Sequence, residues 1–313
     1  MASHFEPLLG KRHIRFLVLA DDAIRPGRTL RCKFEECHLD RILPWDTHNA
    51  LSYVWGSSPE RIQISCEDHP AHITTNLYNA LIQIWTMTPR KRLWADALCI
   101  NQGDDTEKGH QVGMMGDIYR HAGAFIIWFG KADKQILRLW DSIWGNEPHD
   151  EWQDEQHREQ HHEQHANADD LDHFLRNASF FRAWTVQEIL LAPKAVALCG
   201  LRWIEWSRLT KGSPTNDPME QLCLYSQIMR KTTQEWDEPS PLTNMILATS
   251  NRESRDPQDR IHALLGLLPD DVLGTSPSYE ITLTDLYEIV LDSIYIKHDD
   301  LRLLHCCGSG WHE

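Results

Sequence analysis

Glu188 has the clearest potential for chemistry in this sequence, because a predicted helix places it one turn beyond an aromatic side chain. Residues 179–191 carry apolar side chains at helical spacing, with Ser179 as a possible N-cap and Pro193 after the end. In that helix Trp184 and Glu188 share one face. A carboxylate beside a large ring suits a cationic ligand, and desolvation there raises a carboxylate pKa. The alternative, which is commoner, is an amphipathic helix with a core Trp and a solvated Glu.

A second set of candidate residues follows the apolar strand predicted at 50–55. The strand runs into Gly56, Ser57 and Ser58. In open α/β sheets ligands bind at the carboxyl ends of the strands, where exposed backbone N–H groups can hold phosphate. The segment is too short to identify a ligand without further support.

Asp96 stands at the carboxyl end of the next predicted strand, 92–96, and Asn101 follows shortly after it. An Asp and an Asn at a strand end form a polar cluster where a ligand crevice is expected. Alternatively, Asp96 caps backbone N–H groups of the following turn. Cys99 has no His at a recognisable partner spacing, so we interpret it as a buried thiol.

The eight cysteines and the histidines do not predict a metal site. Cysteines 32, 37 and 66 and the other five lack paired Cys-x-x-Cys spacing, which favours free thiols in a reducing compartment. Cys32, Cys37 and His38 lack a fourth ligand nearby. The histidines between 157 and 165 lie in a segment with almost no apolar residues, so we expect no specific metal there.

The elements that position these residues alternate between strand and helix. Strands are predicted near 50–55, 93–96, 124–129 and 195–199, with helices between them, which indicates right-handed crossovers and a parallel sheet. Two earlier strands, 13–19 and 31–39, are predicted to pair with each other. Beyond residue 200 the apolar pattern is mostly helical, and the final residues resemble a chain cut inside a longer protein.

Charge and hydropathy exclude several classes of protein. The net charge is −15, of which residues 149–172 contribute −8 through nine acidic residues and one Arg. No basic stripe indicates nucleic-acid binding. No apolar run reaches the ~18 residues that a membrane span needs, and no signal peptide is evident. We expect a cytoplasmic protein in which 149–172 is an exposed polar insertion without core contacts.

Five segments of the sequence form a recognisable series. They are residues 50–56 (ALSYVWG), 93–102 (LWADALCINQ), 111–119 (QVGMMGDIY), 180–188 (FFRAWTVQE) and 255–266 (RDPQDRIHALLG). Together they resemble the heterokaryon incompatibility (HET) domain of filamentous fungi: the first four cover about 50–190 in the family's order, and the fifth lies in the helical region. Ala95 and Leu98, together with the polar insertion, depart from the family pattern without removing a polar site residue.

The HET family is in turn similar to Toll/interleukin-1 receptor (TIR) domains, whose sheet is flavodoxin-like. Ser179, Trp184 and Glu188 resemble the Ser…Trp-Cys-x-x-Glu segment that carries the catalytic Glu of NAD-cleaving members. Thr185 stands in place of the Cys, but the Trp-x-x-x-Glu register is retained. The resemblance implies a flavodoxin-like, mostly parallel α/β sheet with Glu188 as its catalytic carboxylate.

The same resemblance implies three regions and a function. Residues 1–49 would be an N-terminal β addition, 50–211 the TIR-like HET domain and 212–313 a helical extension. The domain would act in fungal non-self recognition and programmed cell death by hydrolysing the nicotinamide–ribose bond of NAD, with NAD as substrate and no resident cofactor or metal. The residues expected to contact NAD are Trp55, Gly56, Ser57, Ser58, Asp96, Asn101, Arg182 and Trp184.

A second hypothesis from another class stays open. The domain would be a signalling module without turnover, which causes cell death through self-association or through a partner incompatibility protein. In that case Glu188 and Asp96 would be structural hydrogen-bonding residues. Whether the two carboxylates meet in one site distinguishes these hypotheses.

Overall fold

The computed structural model describes residues 6–19, 29–43, 48–55, 60–88, 92–144, 168–209, 241–268, 273 and 277–303. Within these residues nine strands form one sheet in the order β5-β4-β2-β1-β6-β3-β7-β8-β9. The strands are β1 His13–Leu19, β2 Arg31–His38, β3 Asn49–Tyr53, β4 Arg61–Cys66, β5 His69–Thr74, β6 Leu93–Trp94, β7 Ala124–Trp128, β8 Ala195–Cys199 and β9 Arg202–Glu205.

The centre of the sheet is parallel, as the apolar runs and helical spacers predict. Strand β3 pairs in parallel with both β6 and β7, and β7 pairs in parallel with β8. All five residues of β3 are buried, which is typical of a parallel strand covered by helices on both faces. The α/β fold class and the parallel order of the four predicted strands are therefore confirmed.

Helices account for most of the remaining described chain. They are α1 Thr75–Met87, α2 Asp96–Cys99, α3 Asp105–Arg120, α4 Lys134–Trp144, α5 Ala168–Leu175, α6 Ala183–Leu191, α7 Trp206–Leu209, α8 Pro241–Thr249, α9 Asp259–Leu265 and α10 Leu283–His298. Short 3-10 turns occupy Leu39–Arg41 and Ala178–Phe181. None of the described helices combines the length and apolar character that crossing a membrane requires.

The N-terminal strands extend the parallel centre as an antiparallel and mixed edge. Strands β1 and β2 form the predicted hairpin, and β1 joins the centre through antiparallel pairing with β6. Strand β2 also pairs in parallel with β4. The sheet is therefore mixed as a whole, although its central four strands are parallel.

One cysteine pair corrects the prediction of free thiols. Cys32 and Cys66 are register partners on β2 and β4, with Cα atoms 4.8 Å apart, and they form a disulfide. Their separation of 34 residues gives no indication of this pairing, because strand order alone brings them together. Cys37, Cys99 and Cys199 are free, as predicted.

The end of the polar insertion is also different from the prediction. Residues 149–167 lie outside the described residues, but Asp170 in α5 is fully buried instead of exposed. Arg138 of α4 pairs with it, at 2.5 Å from Nη2 to Oδ1 and 3.1 Å from Nε to Oδ2. The sequence prediction was wrong at Asp170 because a cation on a neighbouring helix compensates its burial.

Candidate functional site

The segment 179–191 is not one continuous helix. A 3-10 turn ends at Phe181, Arg182 has an extended backbone with φ −73° and ψ 136°, and α6 begins at Ala183. The prediction of Ser179 as the N-cap is therefore wrong. The N-cap residue of α6 is Arg182, whose side chain makes no capping hydrogen bond. The helix starts late because of a tertiary contact. Arg182 forms a β-bridge with Glu253, and the main-chain N–H and C=O of Glu253 bond to Phe181 O and Ala183 N in place of helical partners.

Glu188 is held by side chains from two other elements. Ser52 on β3 donates a hydrogen bond from Oγ to Oε2 of Glu188 at 2.5 Å. The Tyr119 hydroxyl on α3 donates to Oε1 at 3.5 Å. Arg182 Nη2 lies 3.8 Å from Oε1, and Arg182 Nη1 donates to Ser52 Oγ at 3.1 Å. The Glu188 side chain is 4% exposed, so the carboxylate lies in the interior and is fixed from three directions.

Asp96 lies at the carboxyl ends of the parallel strands, as the sequence predicts. Its Oδ2 accepts a hydrogen bond from the Trp55 indole at 3.1 Å, and its Oδ1 accepts from Ala97 N at 2.7 Å. The Tyr53 hydroxyl lies near this carboxylate and lowers its pKa against the raising effect of burial. Trp55 follows β3 and Asp96 follows β6, so the adjacent strands bring their ends together. Asp96 therefore accepts a hydrogen bond from the following turn, as the alternative prediction has it, and a second one from the Trp55 side chain.

Arg182 couples the two carboxylates electrostatically. Burial raises the pKa of Glu188 above its ordinary value, while Arg182 and the Ser52 hydrogen bond oppose this shift. Burial likewise raises the pKa of Asp96, and Arg182 again opposes the shift. Burial alone would lower the pKa of Arg182, but Glu188 and Asp96 together raise it. The three groups therefore form one charge cluster with a single cation between two acids.

Two buried tyrosines complete this charge cluster. Burial raises the pKa of Tyr53 and Tyr119 well above the ordinary value; the charge of Asp96 contributes to both shifts, and that of Glu188 to the shift of Tyr119. Both phenols therefore stay protonated at neutral pH, and Tyr119 donates its hydrogen bond to Glu188. Chemically, the arrangement offers a positioned carboxylate, a second carboxylate and a cation that can contact an anionic group.

Two other predicted residues have their described polar partners away from the Glu188 carboxylate. The Trp184 indole is near enough to Asp259 of α9 to lower the pKa of that carboxyl against the raising effect of burial, so Trp184 lies against the helical extension. Asn101 Oδ1 accepts from Gly103 N at 3.1 Å in the turn after α2. Trp184 lies one turn before Glu188 on α6, and no described side-chain hydrogen bond or ion pair joins the Glu188 carboxylate to Trp184 or to Asn101. Gly56, Ser57 and Ser58 lie outside the described residues, and their expected role stays a prediction.

Three residues of the cluster were absent from the predicted set: Ser52, Tyr53 and Tyr119. Ser52 had one available signal, since it is a small polar residue in the middle of a largely apolar strand, where a buried polar group needs a partner. Tyr119 follows the apolar face of α3 and is indistinguishable by pattern from a core residue. No three His, Cys, Asp or Glu residues among those described are grouped so that they could hold a metal ion.

Comparison with known proteins gives a family match over the part of the chain that forms the cluster. Residues 48–188 match the family described as Heterokaryon incompatibility protein (HET). This range ends at Glu188 and includes every residue of the charge cluster described above.

A curated relative extends the similarity beyond that range. The chain is 26% identical over 317 aligned positions to "Heterokaryon incompatibility protein 6, OR allele" of Neurospora crassa. The alignment covers 78% of this chain and 46% of the relative, so the chain spans less than half of that protein's length. No solved structure matches the chain.

Proposed function

We propose that this chain acts in fungal non-self recognition and cell death, and that residues 48–188 do so by hydrolysing the nicotinamide–ribose bond of NAD. The family match and the name of the Neurospora relative support the recognition role. The observation that carries the chemical part is the environment of Glu188. Its carboxylate is held by Ser52 and Tyr119 side chains, and it shares Arg182 with a second carboxylate.

The proposed reaction needs little from the protein apart from charge and position. Nicotinamide in NAD is already cationic, so the C1′–N bond can break with the electron pair leaving on neutral nicotinamide. Water then adds at C1′ and releases a proton, which gives ADP-ribose. An ionised Glu188 would stabilise the oxocarbenium-like transition state and hold a ribose hydroxyl. Ser52 fixes the direction of that carboxylate, and Arg182 favours its ionised form.

The proposal gives the remaining predicted residues the roles expected from the sequence. Trp55 and Asp96 lie together at the strand ends, where the ribose and phosphates of a dinucleotide would bind. Asn101 and the segment 56–58 would extend that surface, and Trp184 would contribute a wall. NAD is a substrate here, so the proposal includes no resident cofactor. Self-association or a partner incompatibility protein would control the activity.

Access to Glu188 is the main physical requirement of this proposal. The Glu188 side chain is 4% exposed and that of Arg182 is 17% exposed. A substrate therefore meets Arg182 before it reaches Glu188. Because a guanidinium binds pyrophosphate well, we expect NAD to draw Arg182 outwards as it enters.

The same burial favours a second candidate function, a non-enzymatic signalling module. A carboxylate that is nearly inaccessible and already accepts two hydrogen bonds can be purely structural. In that case the domain would pass a death signal through assembly with itself or a partner. Turnover of NAD by the purified protein separates the two functions.

The deciding experiment is an NAD-consumption assay on concentrated purified protein with the variant Glu188→Gln. Removing the charge should lower turnover by roughly 100-fold or more, the size of the loss when an enzyme loses one electrostatic stabiliser. The matched control is Glu205→Gln, because Glu205 on β9 is 41% exposed and pairs with Lys194 at 3.2 Å. That control should retain full turnover.

Two results would overturn the enzymatic proposal. One is the absence of NAD loss with the wild-type protein. The other is equal turnover by wild type and a folded Glu188→Gln variant. If Glu188→Gln also leaves cell death unchanged in a fungal host, the non-enzymatic module replaces the enzyme.

A further inference from the structure

The main chain on both sides of Arg182 is bound to the helical extension. Ala183 N donates to Glu253 O at 2.9 Å, and Glu253 N donates to Phe181 O at 2.6 Å. The two bonds form an isolated parallel bridge between Arg182 and Glu253. This bridge accounts for the extended backbone of Arg182 and for the start of α6 one residue later.

Further contacts fix the same region of the extension to α6. Arg252 is 3% exposed and donates to Phe180 O. At the other end of α6, Gln187 packs so closely on Gly266 that a Cβ there would lie 1.7 Å from Gln187 Nε2. Only glycine fits at that contact without displacing Gln187. The extension therefore holds the approach to α6 and the side chain next to Glu188.

This attachment determines where the Arg182 guanidinium lies. The side chain leaves the backbone between the two bridge hydrogen bonds and reaches Ser52 Oγ at 3.1 Å. A shift of the bridge therefore moves the cation relative to Glu188. The groups that face Glu188 are Arg182 before α6, Ser52 on β3, Tyr119 on α3 and Asp96 on α2. Arg182 is the cation among them.

We propose that Arg252 and Glu253 are positioning residues for Arg182, so that displacement of this segment of the extension releases the cation from Ser52 and Glu188 and regulates the site. Both residues lie beyond the range 48–188 that matches the family. The regulatory part rests on the proposed NAD hydrolysis, whereas the mechanical coupling does not. A partner that binds the extension would act on the site through this bridge.

The first test measures the coupling without any nucleotide. Glu253→Pro removes the N–H that donates to Phe181 O, and Glu253→Ala is the matched control because it removes the same exposed side chain but keeps the N–H. Hydrogen–deuterium exchange should become faster in 181–188 for Glu253→Pro and stay unchanged for Glu253→Ala. Equal exchange in both variants would overturn the proposal, whether or not the protein cleaves NAD.

The second test measures the pH profile of NAD turnover. This profile would not shift if Arg252 and Glu253 had a merely structural role. Arg182 lowers the pKa of Glu188, so releasing the cation raises that pKa and shifts the acid limb of the profile to higher pH. Glu253→Ala should keep the wild-type profile. An unchanged acid limb in an active Glu253→Pro variant would contradict the regulatory claim. Absence of wild-type turnover would instead refute the proposed function and leave the exchange result to decide the coupling.

A second pair of variants decides the matter if Glu253→Pro does not fold. Arg252→Met removes the donor to Phe180 O, and Arg252→Lys keeps a cationic donor at the same position. We expect faster exchange in 181–188 and an upward shift of the acid limb with Arg252→Met, and partial restoration of both with Arg252→Lys. Identical behaviour of the two Arg252 variants would overturn the proposal.

Discussion

Ser52 Oγ donates to Glu188 Oε2 at 2.5 Å, from the middle of a strand in which every residue is buried. The same hydroxyl accepts from Arg182 Nη1 at 3.1 Å. Ser52 therefore links the cation to the carboxylate inside the fold. A single hydroxyl sets the geometry of both charged groups.

Ser52→Ala should destabilise the fold because it leaves a buried carboxylate without its shortest hydrogen bond. Hydrogen bonds to charged groups contribute more than neutral ones, so we expect a loss of about 2 kcal/mol in the free energy of unfolding. Urea unfolding at pH 7 measures this. Ser142→Ala is the control, because that exposed hydroxyl bonds only to Leu139 O of its own helix among the described contacts. Equal stability of the two variants would show that the Ser52 contact contributes little.

The central sheet was predictable because its signals are local. The apolar runs at 50–55, 93–96, 124–129 and 195–199 are each too short for buried helices and are separated by helical patterns, which leaves parallel strands as the consistent solution. The place of Asp96 at the carboxyl end of a parallel strand followed from the same reasoning, whereas its hydrogen bond with Trp55 was not predicted. Periodicity was sufficient for these features.

Features that depend on distant partners were not predictable. The helix of Glu188 begins at Ala183 instead of Ser179 because Glu253, about 70 residues later, binds the chain at Arg182. Asp170 is buried because Arg138 lies beside it. In both cases a tertiary contact outweighs the local preference, and no local pattern indicates which distant residue supplies it.

The raised pKa of Glu188 predicts a specific dependence of stability on pH. In the unfolded chain the pKa of Glu188 has its ordinary value of 4.5. The folded protein therefore keeps the Glu188 proton at pH values where the unfolded chain has lost it. Its contribution to stability is therefore fully present below pH 4.5 and is lost as the pH rises through the folded pKa, with a slope of at most about 1.4 kcal/mol per pH unit. Glu188→Gln does not titrate, so wild type should lose stability relative to the variant across this range.

Urea unfolding at several pH values above 4 measures that difference. The pH at which the difference levels off is the folded pKa of Glu188, and it should coincide with the acid limb of NAD turnover if Glu188 acts as an ionised carboxylate. A difference that stays flat across the range would show that the pKa of Glu188 is not raised. A difference of opposite sign would show that Arg182 and Ser52 outweigh burial.

His262 offers a stabilising substitution. It is 2% exposed, packs edge-on against Tyr279 at 5.0 Å, and neither ring nitrogen has a hydrogen-bond partner within the described chain. Burial lowers the pKa of His262 to about 4. The contribution of the neutral ring to the free energy of unfolding is therefore present above pH 6.5, the pKa in the unfolded chain, and is lost as the pH falls towards 4. His262→Phe keeps a ring and removes the unsatisfied nitrogens, so it should raise the free energy of unfolding by roughly 1 kcal/mol and reduce the loss in acid.

His48→Phe is the matched control for that substitution. His48 is equally buried and its pKa is also lowered to about 4, mainly by burial, but its Nε2 lies 3.0 Å from Ile118 O. The control should lower stability at pH 7, because it removes that hydrogen bond. Destabilisation by both substitutions would show that ring shape at His262, not its unpaired nitrogens, determines the outcome.

The Arg138–Asp170 pair tests where the polar insertion becomes part of the fold. Asp170 is fully buried and accepts two hydrogen bonds from Arg138, so Arg138→Gln removes the cation that compensates a buried carboxylate. We expect a clear fall in the thermal midpoint. Arg176→Gln is the control, because the Arg176–Asp172 pair on α5 is exposed on both sides and such pairs contribute little.

Deletion of the whole segment 149–172 removes Asp170 as well and should therefore also lower the midpoint, contrary to expectation for a purely solvated loop. Equal midpoints for the two Arg variants would mean that the Arg138–Asp170 pair contributes no stability to the fold.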